Sequence, residues 1–289
     1  MYVKAPAKIN IYLDVLGKKE NGYHDLDMVM LPLELHDTIE LERVLHTSVT
    51  HIISDHVETQ HINHNLIYRT FELLKKEYDF NLNFLIKVHK EIPIYAGMGG
   101  GSTNAAAVLK AFRKYGKIKM TEEEETAFCL KLGADVPYCM KNVPAHVTGI
   151  GEKVEPIKLG KQFNVLVIKP KQGLSTKEVF ELSDKHELKH GNVEKVIEAL
   201  ELGDEKMLGQ YMFNSLEETS IEMCPEIKEI KDMMKKDGFK CILMTGSGSC
   251  VYALTTNPTL ALTKYLKYEH KGYEVYLTKT LKQKRRCSL

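Results

Sequence analysis

Four of the five residues from Gly97 to Gly101 are glycine, the densest chemical signal in the chain. They lie within Pro93-Ile94-Tyr95-Ala96-Gly97-Met98-Gly99-Gly100-Gly101-Ser102-Thr103, after an alternating apolar stretch and before an Ala-rich run with helical spacing. Residues without side chains let backbone N–H groups approach a ligand closely, and the helix N-terminus that follows adds positive partial charge. A phosphate suits both features. Ser102 and Thr103 add hydroxyls fit for capping the helix or for binding the ligand. The segment is not a Walker A loop, because Ser102 stands where a lysine has to follow the last glycine. Gly97-x-Gly99-x-x-Ser102 also lacks the third glycine of a dinucleotide fingerprint.

Other residues carry chemistry less specifically. Asp135, in Gly133-Ala134-Asp135-Val136-Pro137, fits two roles: a proton-accepting carboxylate on a short rigid segment, or the N-cap of a helix starting at Pro137. Lys8 and Asn10 share one face of an extended segment whose other face is Ile9 and Ile11. A cation there lowers the pKa of a nearby carboxylate, polarises a hydroxyl or steadies a transferring phosphoryl group; elsewhere it is a solvated lysine. Tyr23-His24 offers an aromatic face and a ring with donor and acceptor nitrogens, suited to stacking on a base and reading its edge, or to plain packing. His51, His56, His61 and His64 crowd a polar stretch without the Cys or acid ligands of a metal site, so no metal is assigned to them. Glu122 to Glu125 read as a solvated helix start.

The elements that must position these residues follow from periodicity. Residues 9–15 alternate as a strand, with a turn at Glu20-Asn21-Gly22 and a second extended stretch at 26–35, where Pro32 suggests an edge or a bulge. Further strands are expected at 38–41, 49–53 and 83–89, with a helix over 66–78. Helices follow at 101–115 and after Thr121, a cap with acids in the next turn. Residues 149–160, rich in Gly and Pro, form the best candidate boundary, which gives domains 1–158 and 159–289. Beyond it come a strand at 164–168, helices between 176 and 235, a strand at 240–244, the turn Gly246-Ser247-Gly248, and a last helix and strand. Strands with helices segregated from them indicate α+β.

The composition is that of a globular protein, 43% apolar and 27% charged. A net charge of +1 draws the chain neither to nucleic acid nor to anionic membrane, so any bound anion must be held by a local site. No leader is expected at the N-terminus, and no apolar run approaches the ~20 residues of a membrane span. Six scattered cysteines without a Cys-x-x-Cys pair point to a reduced, cytoplasmic protein.

Ala5-Pro6-Ala7-Lys8-Ile9-Asn10, the Gly-rich segment and Met244-Thr245-Gly246-Ser247-Gly248 resemble, in order and spacing, the three signature motifs of the GHMP kinases. Asn21-Gly22-Tyr23-His24, Leu132 to Tyr138, Gly149-Ile150-Gly151-Glu152 and Gly173-Leu174-Ser175-Thr176 are similar to the diphosphocytidyl-methylerythritol kinases within that superfamily. The resemblance implies a two-domain fold with the active site in the inter-domain cleft. It implies ATP with Mg²⁺ as the phosphoryl donor and a small cytidine diphosphate compound as the acceptor, in isoprenoid precursor synthesis. It makes Asp135 the base, Lys8 its partner, Asn10 and Thr176 substrate contacts, and residues 93–103 the nucleotide loop. Tyr23 and Phe180 would sandwich the cytosine while His24 reads its edge. Two alternatives stay open: another small-molecule kinase of the superfamily, and a nucleotide-binding homologue with weak or no activity. The chain departs from the pattern at Asn142-Val143, where Gly-Gly is usual, and at Thr245, Asn214-Ser215 and Ser249-Cys250. The first of these puts the local turn in question.

Overall fold

The computed structural model describes residues 1–20, 22–45, 50–55 and 65–282. His56, His61 and His64 fall outside them. The elements run β1 (Tyr2–Lys18), β2 (His24–Val44), β3 (His51–Ser54), α1 (Leu66–Tyr78), β4 (Asn83–His89), α2 (Gly100–Gly116), α3 (Glu122–Leu132) and α4 (Val136–Lys141). They continue β5 (Ala145–Gly149), β6 (Lys153–Pro156), β7 (Asn164–Lys169), α5 (Thr176–Ser183), α6 (Val193–Leu202), α7 (Glu205–Tyr211) and β8 (Phe213–Asn214). The last are α8 (Glu217–Met223), α9 (Glu226–Lys236), β9 (Cys241–Met244), β10 (Val251–Thr255), α10 (Pro258–His270) and β11 (Glu274–Lys279). Two compact units emerge: Met1–Ala7, Leu35–Pro93 and Gly99–Asn142 form the first, and Lys8–Glu34, Ile94–Met98 and the chain from Val143 onward form the second.

In the first unit β4 pairs antiparallel with the end of β2, from Thr38 opposite His89 to Val44 opposite Asn83, and parallel with β3. Sequence signals set the helix starts. The Asn65 side chain accepts from the N–H of Ile67, and Thr121 and Glu124 close a capping box on α3. Phe71, Phe80, Phe84 and Phe112 form the aromatic core, with ring centroids 5.0 to 6.1 Å apart. The small side chains of Ala105, Ala106 and Ala107 are buried along α2, which brings its backbone close to its neighbours.

In the second unit β5 pairs antiparallel with Leu26 to Met30 of β2 and with β6, while β8 pairs parallel with Tyr12 and Leu13 of β1. A separate antiparallel sheet runs in the order β11-β7-β10-β9. Its central strands are continuous apolar runs, Val165 to Ile168 and Val251 to Leu254, because both of their faces are buried.

Three readings of the sequence need correction. The two strands expected at 26–35 and 38–41 are one strand, β2. Pro32, which lacks a backbone donor, sits where β2 has left β5 at Met30 and not yet met β4 at Thr38. The loop expected over 149–160 contains β6, paired with β5. A strand, β10, fills the stretch between the glycine turn and the last helix that was read as a direct connection. Among the described residues no helix is long and apolar enough to cross a membrane.

Candidate active site

In the second unit three distant segments meet around β1. The strand is buried on both faces from Ala7 to Val15, so Lys8 and Asn10 point into protein and not into solvent. The Lys8 ammonium donates to Oδ1 of Asn10 at 2.8 Å, and the Lys8 backbone N–H donates to the carbonyl of Met98 at 3.1 Å. The Asn10 N–H donates to Oγ1 of Thr245, and the Asn10 carbonyl accepts from the hydroxyl of Tyr252 at 2.7 Å. A Cβ on Gly97, whose φ is +70°, would stand 2.1 Å from the Thr245 carbonyl oxygen, and one on Gly246 would stand 3.0 Å from the Gly97 oxygen. Glycine is required here for packing.

Asn214 holds this turn in place. Its Nδ2 donates to the carbonyls of Met244 and Gly246 at 3.0 and 2.8 Å, and its Oδ1 accepts from Leu216. Thr176 Oγ1 lies 2.8 Å from Ser247 Oγ, beside an open cavity of about 720 Å³ bordered by Tyr95, Gly97, Gly173 and Gly248. Sequence reasoning gave Asn214 no role, because the carbonyls it holds are 30 and 32 positions away.

The residues expected to bind a base also lie in the second unit. Tyr23 is 52% exposed. His24 opens β2, and its Nε2 is 2.6 Å from Oδ1 of Asp184, whose other oxygen bonds the Lys18 ammonium. Burial pushes the Asp184 carboxyl up, but the hydrogen bonds from Lys18 and His24 outweigh it and hold the group below the usual carboxylate range. The ring that Phe180 meets is that of His24, with centroids 4.6 Å apart and planes at 30°. Asp184 carried no sequence signal, because its partners are 160 and 166 positions away.

The first unit holds the start of α2 and the Asp135 segment. Gly99 is the N-cap at φ +71°, in the left-handed region, and no side chain caps the helix. Oδ1 of Asn104, one turn in, is buried with no hydrogen-bond partner. A Cβ on Gly133 would stand 4.0 Å from Ser102 Oγ, so the Gly133–Asp135 segment lies over the first turn of α2. Asp135 is half-buried at the N-cap position of α4 and makes no side-chain cap bond, so the capping role does not account for it. Asn142, at φ +49°, supplies the left-handed turn after α4 that a glycine would otherwise make, and Asn is among the side chains that best tolerate that region. Asp37 and Lys90 form a buried ion pair that sequence reasoning missed. Oδ1 of Asp37 also accepts from the N–H groups of Glu91 and Ile92, which anchors the approach to the Gly-rich loop. Among the described residues no group of three or more His, Cys, Asp or Glu is placed to hold a metal ion.

Residues 65–149 match the N-terminal domain of the GHMP kinases, and residues 196–274 match the C-terminal domain. A 4-diphosphocytidyl-2-C-methyl-D-erythritol kinase of Clostridium beijerinckii is 37% identical, over 97% of this chain and all of its own. The enzyme of the same description from Clostridium perfringens is 38% identical, over 97% of this chain and 98% of its own. A crystal structure of a 4-(cytidine 5'-diphospho)-2C-methyl-D-erythritol kinase superposes with a TM-score of 0.80 at 29% identity, covering 98% of this chain and 100% of that one.

Proposed function

Because the chain belongs to the GHMP kinases, we propose that it transfers the γ-phosphoryl group of ATP to the 2-hydroxyl of 4-diphosphocytidyl-2-C-methyl-D-erythritol. Relatives of matching length carry that substrate in their names. Phosphoryl transfer asks for positioning, charge stabilisation and a group to accept the hydroxyl proton. Asp135 accepts that proton. Lys8, whose ammonium is already oriented by Asn10, steadies the charge on the transferring group. The ATP phosphates lie against the backbone N–H groups of residues 97–104, where α2 begins without a side-chain cap.

Magnesium fits the residues present. The Ser102 hydroxyl at the start of α2 is a hard oxygen donor of the kind Mg²⁺ or its bound water takes, the orphaned Asn104 Oδ1 lies buried one turn in, and the ion would neutralise the phosphate charge. Tyr23 stacks on the cytosine, His24 reads its edge, and Thr176 contacts the substrate; Phe180, whose ring lies against His24, backs that histidine and completes the sandwich only by turning toward the base. The five cysteines among the described residues are buried and free of disulfides, which supports a reducing, cytoplasmic setting.

The observation that best supports this reading is the meeting of Lys8-Asn10, Gly97-Met98 and Thr245-Gly246 in one hydrogen-bonded cluster. A coupled ADP-release assay with the cytidine substrate tests the reading. Turnover is expected with that compound and not with mevalonate or homoserine. Equal turnover on either of those, or none above ATP hydrolysis alone, would overturn it.

A further inference from the structure

His24 is held on two sides by one helix. Phe180 in α5 and Asp184 at its C-cap are one turn apart, and the Asp184 N–H donates to the Phe180 carbonyl. Phe180 lies against the His24 ring at 4.6 Å, and Asp184 Oδ1 is 2.6 Å from Nε2. Lys18 engages the remaining Asp184 oxygen, so the carboxylate is fixed at both ends before any ligand arrives. The His24 side chain is 11% exposed and that of Asp184 24%, so the histidine is the more sheltered of the two.

The chemistry of the pair decides the tautomer. A carboxylate held by Lys18 is an acceptor and not a donor, so the proton of a neutral His24 sits on Nε2 and points at Asp184. The lone pair is then on Nδ1. An acceptor there complements the exocyclic amino group of cytosine, whereas uracil places a carbonyl oxygen at the same position and sets two acceptors face to face. We propose that Asp184 is a positioning residue for base recognition: it locks His24 as the Nε2–H tautomer, so that Nδ1 accepts from the cytosine amino group. This rests on the reading that His24 meets the base, and it adds the group that gives that contact its direction.

Two measurements test it. In ¹⁵N NMR of the ligand-free wild-type protein at pH 8, His24 should be protonated at Nε2 and bare at Nδ1, and the Nδ1 resonance should move when the cytidine compound is added. In Asp184→Ala the ring should become a mixture of tautomers. In steady-state assays Asp184→Ala should raise KM for the cytidine compound about tenfold, the scale of one charge-assisted hydrogen bond, with kcat little changed. Its preference for the cytidine over the uridine analogue should fall in step. In a His24→Ala background the same substitution should add nothing, because Asp184 acts through His24. Should Asp184→Ala alone keep wild-type KM and preference while His24→Ala loses both, the inference is overturned and base reading by His24 stands. Should His24→Ala leave both unchanged, the base-reading role falls and takes this one with it. If Asp184→Ala does not fold, the wild-type spectrum decides: protonation at Nδ1 overturns the proposal.

Discussion

The start of α2 and the side-chain cluster around His24 differ in how far their polar groups are satisfied within the protein. At α2 the helix has no side-chain cap and Asn104 Oδ1 is buried without a partner. Around His24 the ring, the Asp184 carboxylate and the Lys18 ammonium bond one another, and Phe180 covers the ring. An unsatisfied buried polar group costs about 1–3 kcal/mol, which a fold sustains where a ligand supplies the missing partner. A recognition pocket gains instead from being ordered in advance, because binding then loses less entropy. Under the proposed function, the first region serves chemistry on a phosphate and the second selects the molecule that carries the hydroxyl. Substitutions in the first should act on turnover and on the nucleotide, and those in the second on KM for the cytidine compound.

The largest effect tests the first half of that division. Asp135→Asn keeps the shape of the side chain and removes its basicity, so kcat should fall by roughly 10²–10⁴ while ATP affinity stays near wild type. Lys8 is proposed to steady the charge on the transferring group, so Lys8→Met should also act on kcat. Near-normal turnover in either folded variant would remove that residue from the mechanism.

Tyr23→Ala probes the second half. Stacking on a base is worth roughly 1–3 kcal/mol, so KM for the cytidine compound should rise by about one to two orders of magnitude with kcat unchanged. A fall in kcat at constant KM would break the division between the two regions.

Much of this arrangement was legible in the sequence. The bounds of α1 and β4 follow from periodicity and from turn residues at their ends. The Gly-rich loop stood out by residue type and spacing, whereas Lys8 and Asp135 stood out only through their place in motifs that resemble those of the family. Their surroundings did not. Alternation along β1 predicts one polar, solvated face, but Asn10 is covered by Thr245 and Tyr252, more than 200 positions away. The glycines of one loop looked equivalent as phosphate contacts. Gly97 is pressed on the Thr245 carbonyl, whereas Gly101 has room for a side chain, its nearest neighbour being Leu66 at 3.5 Å. Asp184 and Asp37 were illegible for the same reason as Asn214: a buried acceptor is defined by donors that the fold brings from elsewhere.

Asn104→Leu tests the idea that unsatisfied groups mark the region of chemistry. Leucine has a similar volume and no orphaned acceptor, so the unliganded protein should melt a few degrees higher, about what 1 kcal/mol is worth in a chain of this size. The KM for Mg·ATP should rise by roughly tenfold, the scale on which a group that supports a metal ion acts. A lower melting temperature would mean that the Asn104 amide, through Nδ2 or Oδ1, already has a structural task. A higher melting temperature with unchanged KM would separate the orphan from the nucleotide.

The smallest effect comes from a second histidine–aspartate contact in the same unit as His24. Nε2 of His146 on β5 is 2.6 Å from Oδ1 of Asp27 on β2, and Glu155 faces it from β6. The hydrogen bond to Asp27 raises the His146 pKa above its ordinary 6.5, burial opposes it, and the charges of Asp27 and Glu155 add to the rise. A raised folded-state pKa means that the native protein binds the proton more tightly than the unfolded chain. The contribution is therefore fully present below pH 6.5 and is lost as pH climbs through the raised value. His146→Gln should lower the melting temperature by about two degrees near pH 5.5 and by progressively less toward pH 8.5, since a partly exposed pair is worth at most ~1 kcal/mol. Because this pair joins strands and is assigned no contact with the base, KM for the cytidine compound and the preference for cytidine over uridine should not change. A shift in either would move His146 out of the scaffold and into the recognition pocket, and a stability difference that grew with pH would reverse the sign of the pairing.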